Sequence, residues 1–229
     1  MIRTAILVDG GFYQKRANHY YGYQNPAQRA KELVDYCQNH LKDDGYGEKS
    51  LYRIFYYDCP PSTAKVYHPL LKTNIDLSKS DKYTWMNDFF ESLCKKRKVA
   101  LRKGETLESS ANFIIKPEKV MQLCNNTITI ADLTKNDFTL DIKQKGVDMR
   151  IGLDIASLAQ KRLVDQIVLI AGDSDFVPAA KHARREGIDV ILDPMWQTIK
   201  QSLNEHIDGL KTYMPKVKPT KRDVSDNET

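Results

Sequence analysis

Four short runs of apolar, mostly β-branched residues punctuate the chain: Thr4 to Val8, Leu51 to Tyr57, Ile167 to Ala171 and Asp189 to Leu192. None of them alternates cleanly between apolar and polar positions. A strand with one face in water would alternate, so these runs predict strands covered on both faces, as in a parallel sheet. The stretches between them carry a different period. Pro26 to Lys42 sets Ala30, Leu33, Val34, Cys37 and Leu41 at helical spacing behind a first-turn proline. Asp148 to Leu163 gathers Ile151, Ile155, Leu158 and Leu163 on one face, and Phe176 to Glu186 and Trp196 to Leu210 predict two further helices. Strands and helices in alternation imply right-handed crossovers and an α/β fold, a three-layer sandwich around a central, mainly parallel sheet.

Between Cys59 and Lys145 the rhythm breaks. Tyr83 to Lys98 predicts a helix running into the basic "KKRKVALRKG", while Asn126 to Ala131 and Phe138 to Lys143 predict a β-hairpin. A structureless loop of this length is uncommon in a compact domain, so a structured insertion at the sheet edge is expected. The resulting organisation is one domain over residues 1–214 with an insertion at about 59–145. The stretch 215–229, "PKVKPTKRDVSDNET", is rich in charge and proline and predicts a disordered tail.

Composition narrows the setting. With 41% hydrophobic and 28% charged residues, the 229-residue chain can bury such a core without disulfides or a structural metal. Cys37, Cys59, Cys94 and Cys124 are far apart, with no C-x-x-C pair and no histidine at zinc spacing, so free thiols are expected. The opening "IRTAILV" is too short for a signal or a membrane span, and a soluble cytoplasmic protein away from membranes is expected. A formal charge of +5 leans weakly towards a polyanionic partner.

Candidate chemistry collects where strands end. Asp9 follows "AILV", and Asp173 and Asp175 follow "IVLIAG"; Asp148, in "KGVD", stands where the insertion returns and a helix begins. Ligands of open α/β sheets bind beyond the carboxyl ends of the strands, so these acids would share one rim if the strands are neighbours. Taken singly, an Asp at a helix start is a favoured N-cap. Taken together, clustered carboxylates repel unless a cation offsets them, and oxygen donors with open positions suit Mg²⁺ or Mn²⁺. Asp154 lies six residues beyond Asp148, roughly 240° around a helix, so the two cannot both face one ion.

The segments "AILVDGGF", "KGVDMRIGLDIASLA" and "DQIVLIAGDSDFVPAAKHARREGIDVIL" resemble the three motifs of NYN-domain proteins. The similarity is closest to the LabA-like branch, within the PIN-like nuclease group. The resemblance implies a Rossmann-like sheet and a metal-dependent endoribonuclease that hydrolyses RNA. It implies Asp9, Asp148 and Asp173 as metal-binding acids and Asp175 as a fourth catalytic acid; Phe12 stands where many family members carry Asn. Lys145 and Arg150, flanking Asp148, and Ser174, between two acids, are candidate substrate contacts, although solvated charges and a small turn residue read equally well.

The basic run Lys95, Lys96, Arg97 and Lys98, with Arg102 and Lys103, is a candidate phosphate track or simply a well-charged helix end. Tyr20, Tyr21 and Tyr23 are candidates for stacking on unpaired bases or for packing. The insertion and the Trp196 helix are surfaces on which a homodimer or a protein partner would sit. A non-catalytic nucleic-acid-binding or regulatory module that keeps the acidic pocket is the alternative reading. A phosphatase-like site fits less well, because no second Asp follows Asp9 two residues on, and no G-x-x-x-x-G-K-[ST] loop exists.

Overall fold

Along the first strand Ala5 and Leu7 enter one apolar layer while Ile6 and Val8 enter another, and all four are fully buried. Two cores on opposite faces of one sheet explain why its strands show no polar alternation. A computed structural model describes residues 1–42 and 45–215. The chain begins with β1 (Ile2–Asp9), α1 (Gly10–Tyr21), α2 (Pro26–Asn39) and β2 (Lys49–Asp58). A small hairpin follows, β3 (Lys65–His68) and β4 (Thr73–Asp76), then α3 (Asp81–Cys94) and β5 (Val99–Lys103). Next come β6 (Glu105–Thr106), β7 (Asn112–Ile115), α4 (Pro117–Cys124), β8 (Phe138–Asp141) and β9 (Gln144–Lys145). The last part comprises α5 (Val147–Gln160), β10 (Gln166–Ile170), α6 (Val177–Arg185), β11 (Asp189–Asp193), α7 (Gln201–Asn204) and β12 (Gly209–Leu210).

The central sheet has the order β12-β11-β10-β1-β2-β5, and every neighbouring pair is parallel. Residues of α1, α2 and α3 line one core, and those of α5, α6 and α7 line the other. The chain therefore winds outward in both directions from the β1–β10 pair, which makes a Rossmann-like three-layer sandwich with its switch point beside Asp9. Among the described residues, no helix is long and apolar enough to cross a membrane.

Several expectations are corrected. The stretch from Cys59 to Lys145 is not all peripheral, since β5 supplies an edge strand of the central sheet. It was hidden in the basic run because only Val99, Ala100 and Leu101 turn towards the cores. The hairpin expected from Asn126 to Lys143 does not form: β8 pairs with β7, and residues 126–131 bend and enter a 3-10 turn at Ile130–Asp132. There Asp132 accepts hydrogen bonds from Thr129 and Asp137 from Thr134, which bends the chain twice. The closing helix shrinks to α7, because Met195 and Trp196 take positive φ of 45° and 64°. Beyond α7, Asp208 accepts from Val190 N at 2.9 Å and from Arg184 Nε at 2.9 Å, drawing the chain into β12. Of the expected tail, residues 216–229 lie outside the described residues.

Candidate active site

The register of the sheet decides which acids meet. Val8 pairs with Ile170 and Asp9 with Tyr57, so the ends of β10, β1 and β2 lie side by side on one rim. Asp9 ends β1 and is also the N-cap of α1, where its Oδ1 accepts from Phe12 N at 3.2 Å. Asp58 ends β2 next to it, buried, with Oδ1 accepting from Cys59 N at 2.7 Å and Oδ2 from Tyr56 OH at 3.2 Å. Gly10 permits this closeness: a Cβ there would stand 2.6 Å from the Tyr56 ring and 2.7 Å from Asp58 Oδ2. The helix can start against β2 only without a side chain at that position.

Asp148 reaches the same rim by a different route. The strands β6 and β9 pair Glu105 with Lys145, so the insertion leaves and returns at one point. Gly104 closes that point, where a Cβ would lie 2.7 Å from Lys145 O and 2.8 Å from Cys59 Sγ. α5 then begins at the rim with Asp148 in its first turn, and Gly146 rather than an acid occupies the N-cap. Asp9, Asp58 and Asp148 together line a cleft of ≈ 170 Å³ with Gly11, Gln144, Gly146 and Val147.

Asp173 and Asp175 stand exposed beside the cleft, after β10. The cap is provided by Asp173, whose Oδ1 accepts from Asp175 N at 3.0 Å to start the turn Ser174–Phe176. Phe176 occupies the N-cap of α6 without a side-chain bond. Ser174 is half-buried in that turn. Lys145 and Arg150 are exposed at the rim on either side of Asp148, and among the described residues no ion pair engages them.

Electrostatics couple this group. Burial pushes the Asp9 carboxyl up to about 6, with the charges of Asp148 and Asp173 adding to the rise against hydrogen bonding from Phe12 N. Burial also raises Asp58 to about 6, and the charge of Asp9 contributes while Cys59 N, Tyr56 and Lys82 oppose it. Asp148 is raised by burial and then by Asp173 and Asp175. The rim is thus a set of mutually repelling carboxylates with too few donors. Among the described residues, no three His, Cys, Asp or Glu side chains close into a finished metal-binding group.

Two sequence candidates lie elsewhere. Asp154 accepts from Tyr57 OH at 2.8 Å and pairs with Arg102 Nε at 3.1 Å, away from the cleft. Lys95 to Lys98 precede β5 and so sit at the opposite edge of the sheet from the acids. There Lys95 pairs with Glu91 at 2.6 Å, and Lys98 donates to Leu51 O. Lys103, which pairs with Asp58 in register, is at the acid edge but lies 5.2 Å over the Phe90 ring. Asp58 is the residue that sequence reasoning missed. Its signal was present in "FYYDCP", a strand run ending in an acid as at Asp9.

No curated protein matches the chain. Among solved structures, a protein of unknown function from Vibrio parahaemolyticus is similar at a TM-score of 0.44, with 16% identity over 93% of each chain. The NYN domain family model matches residues 86–208, from within α3 to the turn before β12. That span holds Asp148, Asp173 and Asp175 and leaves Asp9 and Asp58 ahead of it. It covers more than half of the sequence, and the chain belongs to the NYN domain family.

Proposed function

We propose that the chain is a metal-dependent endoribonuclease of the LabA-like branch, acting in the cytoplasm on phosphodiester bonds of RNA. The observation that carries this reading is the convergence of Asp9, Asp58 and Asp148 on one cleft, with Asp173 acting on two of them electrostatically. A family within the PIN-like nuclease group supports hydrolysis, and the four free cysteines suit a reducing compartment.

The donor set fits Mg²⁺ or Mn²⁺. Its atoms are hard carboxylate oxygens, their raised pKa values reflect repulsion and burial that a cation would relieve, and the cleft is open to phosphate. In this reading Asp9, Asp148 and Asp173 hold the ion, Asp175 adds charge, and Asp58 completes the cluster from below. The ion supplies a Lewis acid that acidifies water and neutralises phosphate charge. Lys145 and Arg150 hold the flanking phosphates, and Ser174 Oγ donates a hydrogen bond to a phosphate oxygen. Asp9, its Oδ1 fixed by Phe12 N, keeps its position while the more exposed Asp148 and Asp173 adjust.

The test incubates wild type and Asp173→Asn with labelled single-stranded RNA in Mn²⁺, Mg²⁺ or EDTA. Asn is as good an N-cap as Asp, so the variant keeps its turn and its fold. Cleavage by wild type alone, dependent on metal, is expected. Equal cleavage by both proteins would sink the assignment of Asp173. The same acid-lined cleft also serves one second reading, a nucleic-acid-binding module that keeps the acids and does not turn over, since fold and site do not guarantee activity. RNA binding without cleavage under every metal condition would select it.

A further inference from the structure

The acid cleft does not end at its acids. Gly11, Asp58 and Gln144 line it and also line a second hollow of ≈ 280 Å³ under the insertion. That hollow in turn shares Gln14, Lys82 and Met86 with a third of ≈ 460 Å³, whose wall is Tyr23 and Trp85. The three adjoin as one groove between α1 and α3. Gly11, Gln14 and Asn18 recur at spacings of three and four along α1, so they present one face over about 10 Å of helix. Lys82 lies three and four residues before Trp85 and Met86 on α3 and shares a face with them.

The far end of this groove is built unlike ordinary surface. Tyr23 is 76% exposed, with its ring centroid 6.2 Å from that of Trp85 at an angle of 45°. Trp85 is held from beneath: its Nε1 donates to Gln24 O at 2.9 Å, and its ring stacks on Phe89 at 5.2 Å and 14°. A fixed indole beside an exposed phenol forms a corner with aromatic faces open to solvent. The neighbouring tyrosines are committed otherwise. Tyr20 OH accepts from Arg16 Nη2 at 2.9 Å, and Tyr21 packs half-buried against the core. Lys82 adds an exposed cation between the corner and Asp58, where its charge slightly opposes the rise that burial imposes on the Asp58 carboxyl.

We propose that this groove binds a single strand of the nucleic acid on one side of the bond in the acid cleft, with a base stacked in the Tyr23–Trp85 corner and a phosphate beside Lys82. The inference rests on reading the acid cleft as the site of phosphodiester chemistry. Aromatic stacking and one lysine recognise any unpaired base, whereas bases in a duplex have their faces covered by each other. The amides of Gln14, Asn18 and Gln144 offer donors and acceptors to base edges along the way. The substrate is therefore single-stranded over this stretch, and its path runs past α3 rather than along Lys95 to Lys98 at the opposite edge.

The test measures anisotropy of a labelled single-stranded RNA, and of a duplex of the same sequence, in Mg²⁺ with full-length protein carrying Asp173→Asn to suppress cleavage. Adding Tyr23→Ala weakens single-strand binding roughly tenfold, Tyr23→Phe restores it, and duplex binding is unchanged. Lys82→Ala lowers the slope of log affinity against log salt by about 0.7, the value of one phosphate contact on a single strand. Single-strand affinity untouched by Tyr23→Ala, or no single-strand binding at all, overturns the groove. Cleavage assays on proteins with Asp173 intact separate the two claims. Metal-dependent cleavage that ignores Tyr23→Ala in affinity and cut position leaves the nuclease standing without the groove. Tyr23-dependent binding without cleavage leaves the groove standing without the nuclease.

Discussion

Asp193 and Asp58 occupy matching places, each the last residue of a parallel strand of the same sheet, and both are buried. Their surroundings differ. Asp193 Oδ1 accepts from Met195 N and Thr212 Oγ1, each at 2.8 Å, while Oδ2 faces Tyr36 OH and His40 Nε2, the latter at 2.9 Å. Four donors share the charge. Asp58 has two, Cys59 N and Tyr56 OH, and the Asp9 carboxylate beside it. Asp9 has only backbone N–H groups of its own helix start, Phe12 N at 3.2 Å and Gly11 N. A strand-end carboxylate ringed by donors ties elements together, here α2 and the C-terminal segment to β11. One left short of donors stores a need for positive charge. Counting the donors thus separates a structural acid from a candidate functional one, where position alone does not.

The largest expected effect comes from breaking the satisfied acid. Asp193→Ala leaves Tyr36, His40 and Thr212 without their shared acceptor in a buried site and should cost about 3–5 kcal/mol, in the range for breaking a buried charged network. Urea denaturation at pH 7 reads this, and the protein that remains folded should bind metal as the wild type does. A loss below about 1 kcal/mol would mean that the four donors find other partners, and the contrast would lose its structural half.

Removing the charge of the starved acid should act in the opposite direction. Asp58 has its carboxyl pushed to about 6 from an ordinary 3.8, so the folded protein holds this proton more tightly than the unfolded chain does. The stabilisation linked to that proton is whole below about pH 4 and is lost as pH rises through 6. Asp58→Asn, which cannot ionise, should therefore match wild type near pH 4 and exceed it by roughly 2–3 kcal/mol at pH 8 without metal. Thermal unfolding across this window checks the sign. Mn²⁺ should stabilise the wild type, by about 2.7 kcal/mol at a hundredfold excess over Kd, and so narrow the gap. Equal stability of the two metal-free proteins at pH 8 would show that Asp58 is not starved of positive charge.

What the sequence disclosed follows the same line. The strands β1, β2, β10 and β11 were legible because burial on both faces writes a continuous apolar run. The helix α1 was not, because it opens on Gly10 and Gly11 and buries only Gly10, Tyr13 and Ala17. The strand β5 lay hidden among lysines and arginines whose charged ends lead away from a short apolar centre. Asp9, Asp148, Asp173 and Asp175 could be read as acids at element boundaries, and the structure gathers them on one rim. Asp58 escaped because the strand was ended one residue early, at Tyr57. Nothing local distinguishes Asp193 from these: its one local bond, from Met195 N, resembles theirs, and its other three donors come from residues 36, 40 and 212. Those partners are a property of the tertiary fold.

The smallest expected effect tests the comparison within one helix. Asp148 and Asp154 both belong to α5, but Asp154 is partnered by Tyr57 OH and Arg102 while Asp148 faces the cleft and other acids. Asp154→Asn keeps an acceptor for the Tyr57 hydroxyl and loses only the charge opposite Arg102, whose side chain is 46% exposed. Solvent screening holds such a pair to under about 1 kcal/mol, and the cation also rests 5.3 Å over the Phe55 ring, which the substitution leaves in place. Mn²⁺ affinity, read by calorimetry, should be unchanged in Asp154→Asn and strongly reduced in Asp148→Asn, with both variants folded. A drop in affinity for Asp154→Asn comparable to that of Asp148→Asn would mean that a fully partnered acid also serves the ion. Donor count would then no longer separate the two kinds of aspartate on this fold.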